Sequence, residues 1–134
     1  VSATASAGIC KTYVTVKATG TPFWYTYQHL SGTSLKVGDA VVGGQTEIGR
    51  VFNGSSGRCI QGAHLHLSIE RTAKYSEYRD LARVGCNPIG DAACARKMPS
   101  VPPLCLLEKE GRNYGSSVRE DEIKGSAYCT EVLR

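Results

Sequence analysis

The sequence predicts a mainly β fold, an antiparallel sheet joined by short turns, and three observations lead there. Lys11-Thr12-Tyr13-Val14-Thr15-Val16-Lys17 is rich in β-branched residues and alternates as a half-buried strand does. Phe23–Leu30 repeats the pattern after the turn Ala18-Thr19-Gly20-Thr21-Pro22, so the two runs read as a hairpin. Glycine is abundant, 15 of 134 residues, and sits between short apolar pieces where turns belong.

The remaining elements follow in order. Ser31-Gly32-Thr33-Ser34 reads as a loop, and Val37-Gly38-Asp39-Ala40-Val41 as a tight turn between short apolar pieces. Gly43-Gly44-Gln45 turns again into Glu47–Val51; Asn53–Gly57 is a polar loop, and Ala63–Glu70 is the next strand. After Arg71 the pattern changes. Tyr75–Val84 reads as a short helix ending at Gly85, and Asp91–Lys97 as another turn of helix, closed by Pro99, Pro102 and Pro103. From Leu104 onward, charged residues, glycines and two cysteines make a loop-rich tail. The expected division is residues 1–72, a motif-bearing β-unit, and residues 73–134, a disulfide-tied, partly helical C-terminal extension.

A net charge of +4 without a long Lys/Arg run argues against a nucleic-acid groove. No apolar run is long enough to span a membrane and no signal peptide is present, so the chain is expected to start at a mature or trimmed end. Gly43-Gly44 and Gly54-Ser55-Ser56-Gly57 lack the residues of a phosphate loop and read as hairpin turns. Six cysteines, none in a Cys-x-x-Cys pair, point to disulfides rather than a zinc ribbon or redox motif. Disulfides imply the periplasm or the cell exterior. Six cysteines allow many pairings and the sequence alone does not choose among them; the pairing taken as a guess joins Cys10 to Cys59 and leaves Cys86, Cys94, Cys105 and Cys129 to staple the C-terminal part.

All three histidines fall in two strand-like motifs, Tyr25-Thr26-Tyr27-Gln28-His29-Leu30 and His64-Leu65-His66. On one strand His64 and His66 would face the same way, about 7 Å apart, a spacing at which one can bind a metal while the other handles a proton. Two polar residues on the exposed face of a half-buried strand is the plainer reading of the pair. A buried histidine bonded to backbone is the plainer reading of His29. Cys59, in the spacing Cys-x-x-x-x-His-x-His, has a second reading as a thiolate zinc ligand. Trp24, Tyr25 and Tyr27 suit either a groove for a peptide or glycan or ordinary packing.

Three blocks of this chain together resemble the lysostaphin-type (LytM and β-lytic) zinc endopeptidases. Tyr27-Gln28-His29-Leu30-Ser31 is similar to the family's Tyr-x-His-Leu-Ser strand. Leu35-Lys36-Val37-Gly38-Asp39-Ala40-Val41, with Gly44-Gln45 and Ile48-Gly49, is similar to its central turns. Ser56-Gly57 and Gly62-Ala63-His64-Leu65-His66-Leu67 are similar to its His-x-His block. The resemblance covers residues 8–70 and implies an antiparallel lysostaphin/LytM-like fold, split-barrel and duplicated-hybrid-like. It also implies His66 as a zinc ligand, His64 as general base and His29 as its partner. The implied substrates are the short peptides of bacterial peptidoglycan. Zinc in such a site polarises the scissile carbonyl and lowers the pKa of a bound water to about 7.

The family's other two zinc ligands lie in a His-x-x-x-Asp motif upstream of the strand matching Thr12–Lys17, and no histidine precedes His29 here. Asp39 belongs to a matched turn and is read as structural; Asp80, Asp91 and Asp121 lie in the extension without a histidine beside them. Two explanations follow: the C-terminal part of a longer enzyme, or a relative that dropped zinc. Either way the expectation is a peptidoglycan-directed, endopeptidase-like domain, inactive as this chain alone. The alternative is a non-catalytic module that binds cell-wall peptides, or a regulatory or structural part of an envelope or secretion assembly.

Overall fold

A computed structural model describes residues 1–71, 91–97 and 100–101. The chain divides into two compact units, Val1–Ala73 and Lys74–Arg134. The second unit contributes the helix α1 (Ala92–Lys97) and the short strand β8 (Ser100–Val101). Asp91 caps α1, its Oδ1 accepting from the backbone N–H of Ala93 at 2.9 Å and of Cys94 at 3.2 Å. The helix expected at Tyr75–Val84 and the tail from Leu104 lie outside the described residues.

The first unit is an antiparallel sheet. Strands β1 (Ala3–Ser6), β2 (Thr12–Lys17), β3 (Trp24–Gly32) and β7 (His66–Glu70) lie side by side in that order. The short β4 (Arg50–Val51) also pairs with β3, while β5 (Ser55–Ser56) and β6 (Ile60–Gln61) make a separate two-stranded ribbon. The hairpin read from the alternation is present as β2 and β3. The polar loop at Asn53–Gly57 instead carries β5, and β3 runs on through Ser31 and Gly32. Ala3–Ser6 has small side chains and no apolar alternation; it becomes a strand because β2 offers it an edge to pair with.

Register sorts the side chains onto two faces. Val14, Val16, Tyr25, Tyr27, Leu67 and Ile69 share one face across β2, β3 and β7. Val14, Val16 and Leu30 form its buried core, with Val1, Tyr27, Leu35, Val41 and Ile48 packed against them. Each such fully buried aliphatic side chain is worth roughly 1.5–3 kcal/mol. The opposite face is polar: Thr15, Thr26, Gln28, His66, Ser68 and Glu70. The polar face is nevertheless buried, with Thr15, Thr26, Gln28 and Glu70 all at most 9 % exposed. Thr15 Oγ1 and Thr26 Oγ1 share a hydrogen bond of 2.8 Å across β2 and β3, and Ser68 lies opposite Thr26 on β7.

Candidate functional site: a histidine cluster at a strand bulge

Strict alternation would put His29 on the apolar face with Tyr25 and Tyr27. It does not lie there, because β3 carries a bulge. From Thr12↔Leu30 to Val14↔Tyr27 the pairing advances two residues on β2 and three on β3, so one residue at Gln28–His29 is extra. His29 takes up the irregularity with φ +63°, a left-handed conformation rare for a non-glycine residue. The bulge lets Gln28, His29 and Leu30 be buried consecutively, which a regular strand facing one core does not allow. Leu30 returns to the core, and His29 joins Gln28 and His66 on the polar face.

His29 sits where β3 changes partner. Gln28 pairs with His66 of β7, Leu30 pairs with Val51 of β4, and the carbonyl of His29 accepts from the N–H of Phe52 at 2.8 Å. Its ring is held from the other side: Nδ1 lies 3.1 Å from the carbonyl oxygen of Cys10. Cys10 ends the 3-10 turn Gly8–Cys10 and is disulfide-bonded to Cys59, with Cα atoms 5.3 Å apart. The expected Cys10–Cys59 pairing is therefore present, and it removes Cys59 as a thiolate ligand. Cys94 is also in a disulfide.

β7 begins at His66 rather than at Ala63, so His64 lies just before the strand and not on it. Its ring nonetheless reaches the cluster. The centroid of His29 is 4.8 Å from that of His64 and 5.5 Å from that of His66, both edge-to-face. His64 is exposed, and its Nδ1 lies 2.8 Å from the carbonyl oxygen of Gly62. A carbonyl only accepts, so Nδ1 of both His29 and His64 carries the proton in these bonds. In the neutral rings each Nε2 then keeps its lone pair. Two such bases, one buried and one exposed, can take a proton from a bound water and give it to a leaving amide nitrogen.

The other candidates have structural roles. Asp39 Oδ2 accepts from Lys36 N–H at 2.8 Å and Asp39 N–H donates to the Lys36 carbonyl at 3.0 Å, closing the turn in which Gly38 has φ +96°. Tyr27 packs on the core, and burial, with a smaller contribution from Tyr25, raises its phenol pKa above the ordinary 10.0. Trp24 lies on the polar face with Lys17 Nζ 4.2 Å from its ring centroid. Gln28 and Ser68 were not singled out by any motif. Gln28 is the variable position of Tyr-x-His, and only the register places the two beside the histidines.

A catalytic zinc usually takes three protein ligands. Among the described residues no group of three or more His, Cys, Asp or Glu side chains is placed to hold a metal ion. Cys59 is in a disulfide and Asp39 closes a turn, which leaves the Nε2 atoms of His29 and His64 as donors without a completing set. The described donor set therefore does not fit a catalytic zinc by itself. No protein-family model, no curated protein and no solved structure matches this chain.

Proposed function

We propose that residues 1–71 form a lysostaphin/LytM-like domain directed at the peptides of peptidoglycan, with the proton-handling histidines of an endopeptidase but without a complete zinc set of its own. The observation that carries the reading is the convergence of His29, His64 and His66, residues from two separate motifs, on one side of the sheet. In this reading His64 is the general base, His29 its partner and His66 one corner of a metal site. The metal's remaining ligands would come from outside the described residues.

The incomplete donor set favours a second form of the same reading, a binding or structural module of a bacterial envelope or secretion assembly. The Cys10–Cys59 disulfide supports an oxidising compartment, periplasmic or secreted, for both forms. Among the described residues no helix is long and apolar enough to cross a membrane.

Cosedimentation with purified peptidoglycan, combined with metal analysis, tests the proposal. The expected result is retention on intact sacculi, less than stoichiometric zinc, and no release of new amino groups. Failure to be retained overturns the peptidoglycan reading. Stoichiometric zinc with peptide cleavage overturns the claim that this chain alone is inactive.

A further inference from the structure

The loop between β4 and β5 carries the dipeptide Asn53-Gly54, and Asn53 is exposed to solvent. An asparagine in such a place can react with its own backbone. The attacking atom is the backbone nitrogen of the next residue, and the target is the side-chain amide carbon Cγ. A hydrogen bond to either group holds it out of reach of the other. Among the described residues neither the Asn53 side chain nor the Gly54 N–H makes one. Gly54 has φ +148° and no Cβ to crowd the ring that forms. The other two asparagines of the sequence lack this combination. Asn87 precedes a proline, which has no N–H, and Asn113 precedes the bulky Tyr114. We propose that Asn53-Gly54 is a self-modification site: the chain converts Asn53 to aspartate and isoaspartate with water as the only co-reactant, and the isoaspartate form resets His29.

The step balances without a cofactor. The Gly54 nitrogen loses its proton and forms a bond to Asn53 Cγ. The Cγ–Nδ2 bond breaks, and Nδ2 takes up a proton and leaves as ammonia. The product is a five-membered succinimide, which water opens at either carbonyl. One opening gives aspartate in an unaltered main chain. The other routes the main chain through Cβ and Cγ, inserting one methylene and leaving a free α-carboxylate. Both products add a negative charge, but only the second lengthens the backbone.

The place of that lengthening connects it to the histidine cluster. Phe52, just before the dipeptide, donates its N–H to the His29 carbonyl at 2.8 Å. Beyond the dipeptide, Cys59 is cross-linked to Cys10, whose carbonyl oxygen lies 3.1 Å from His29 Nδ1. Asn53-Gly54 therefore lies between two attachments of one residue. An added backbone atom there displaces one attachment relative to the other.

The folded wild-type chain, the same chain unfolded in guanidinium chloride, Asn53→Gln and Asn53→Asp are held at neutral pH and physiological temperature for weeks. Peptide mass spectrometry, with fragmentation that separates aspartate from isoaspartate, follows position 53. Side-chain 15N spectra of the histidines are recorded on the folded samples. Expected is conversion of Asn53 in the folded chain at a rate within about tenfold of that in the unfolded chain. Both products form, and a second set of His29 ring signals grows in step with isoaspartate. That set is absent from freshly prepared Asn53→Asp and from Asn53→Gln throughout. An Asn53 that stays intact in the folded chain while it converts in guanidinium overturns the site, because the fold then withholds one of the two groups. Conversion with His29 signals unchanged overturns the resetting of His29. New His29 signals in Asn53→Gln also overturn it, because the change then has another cause.

Discussion

The carbonyl oxygen of Cys10 holds Nδ1 of His29 at 3.1 Å, and the side chain of the same Cys10 is cross-linked to Cys59. One residue thus joins the covalent staple of the domain to the orientation of its buried histidine. The bond sets which ring nitrogen of His29 carries a proton, and so which one faces the cluster. The disulfide stabilises the unit and fixes the turn from which that carbonyl projects.

The staple closes a loop with a sequence separation of 49 residues. Loop-closure entropy makes such a cross-link worth about 4 kcal/mol. The paired variant Cys10→Ser/Cys59→Ser is expected to lose stability of that order in urea, followed by the fluorescence of Trp24, the single tryptophan. A loss below about 1 kcal/mol would show that the turn is held by other contacts.

His29 reverses the usual order of strand substitutions. Glycine within a strand is ordinarily worse than alanine, but at φ +63° the alanine Cβ meets the left-handed penalty of about 1–2 kcal/mol. His29→Gly is expected to be more stable than His29→Ala by about 1 kcal/mol, although both lose the ring. Denaturant midpoints of the two variants decide it; alanine more stable than glycine would mean that the bulge is absent.

Gly49 is required by a close approach rather than by its backbone angle. A Cβ there would lie 2.6 Å from the carbonyl oxygen of Gly32 and 3.0 Å from Leu30 Cδ1. Gly49→Ala is expected to destabilise by about 1–3 kcal/mol, as overpacking does. It should also loosen β4, seen as faster amide exchange at Phe52, whose N–H bonds the His29 carbonyl.

Tyr27 gives a pH dependence whose sign is fixed. Its folded pKa is raised by burial first and by Tyr25 second, so the unfolded chain loses the phenolic proton at lower pH than the folded one. The stabilisation is fully present below the unfolded value, near 10, and is lost as pH rises through the folded value. Thermal midpoints should therefore fall above about pH 10, and Tyr27→Phe should flatten that slope. An unchanged slope in the variant assigns the alkaline loss to other groups.

Much of the first unit is legible in its residues. Alternation with β-branched side chains marks β2 and β3, and glycine and Asp39 mark the turn at Lys36–Asp39; the Cys10–Cys59 pairing guessed from six cysteines is present, although the residues alone do not select it. What is not legible is the bulge. Residue types at Gln28–His29 are compatible with a regular strand, and the extra residue appears only when β3 is matched to β2. Without it His29 counts onto the apolar face, away from His66. The start of β7 is similarly hidden: Ala63–Glu70 is strand-like throughout, yet pairing begins only where Gln28 meets His66. The strand β1 carries no signal of its own because its formation depends on the edge of β2.

The central claim is that a bulge in β3 turns His29 toward His64 and His66, with the protons of His29 and His64 held on Nδ1. Side-chain NMR of the three histidines, with uniform 15N labelling and long-range proton–nitrogen correlation, tests it most directly. The account predicts Nδ1–H tautomers for His29 and His64 in their neutral forms, and nuclear Overhauser contacts from the His29 ring to both other rings. Nε2–H tautomers, or a His29 ring in contact with the Val14 and Leu30 side chains instead, would contradict it.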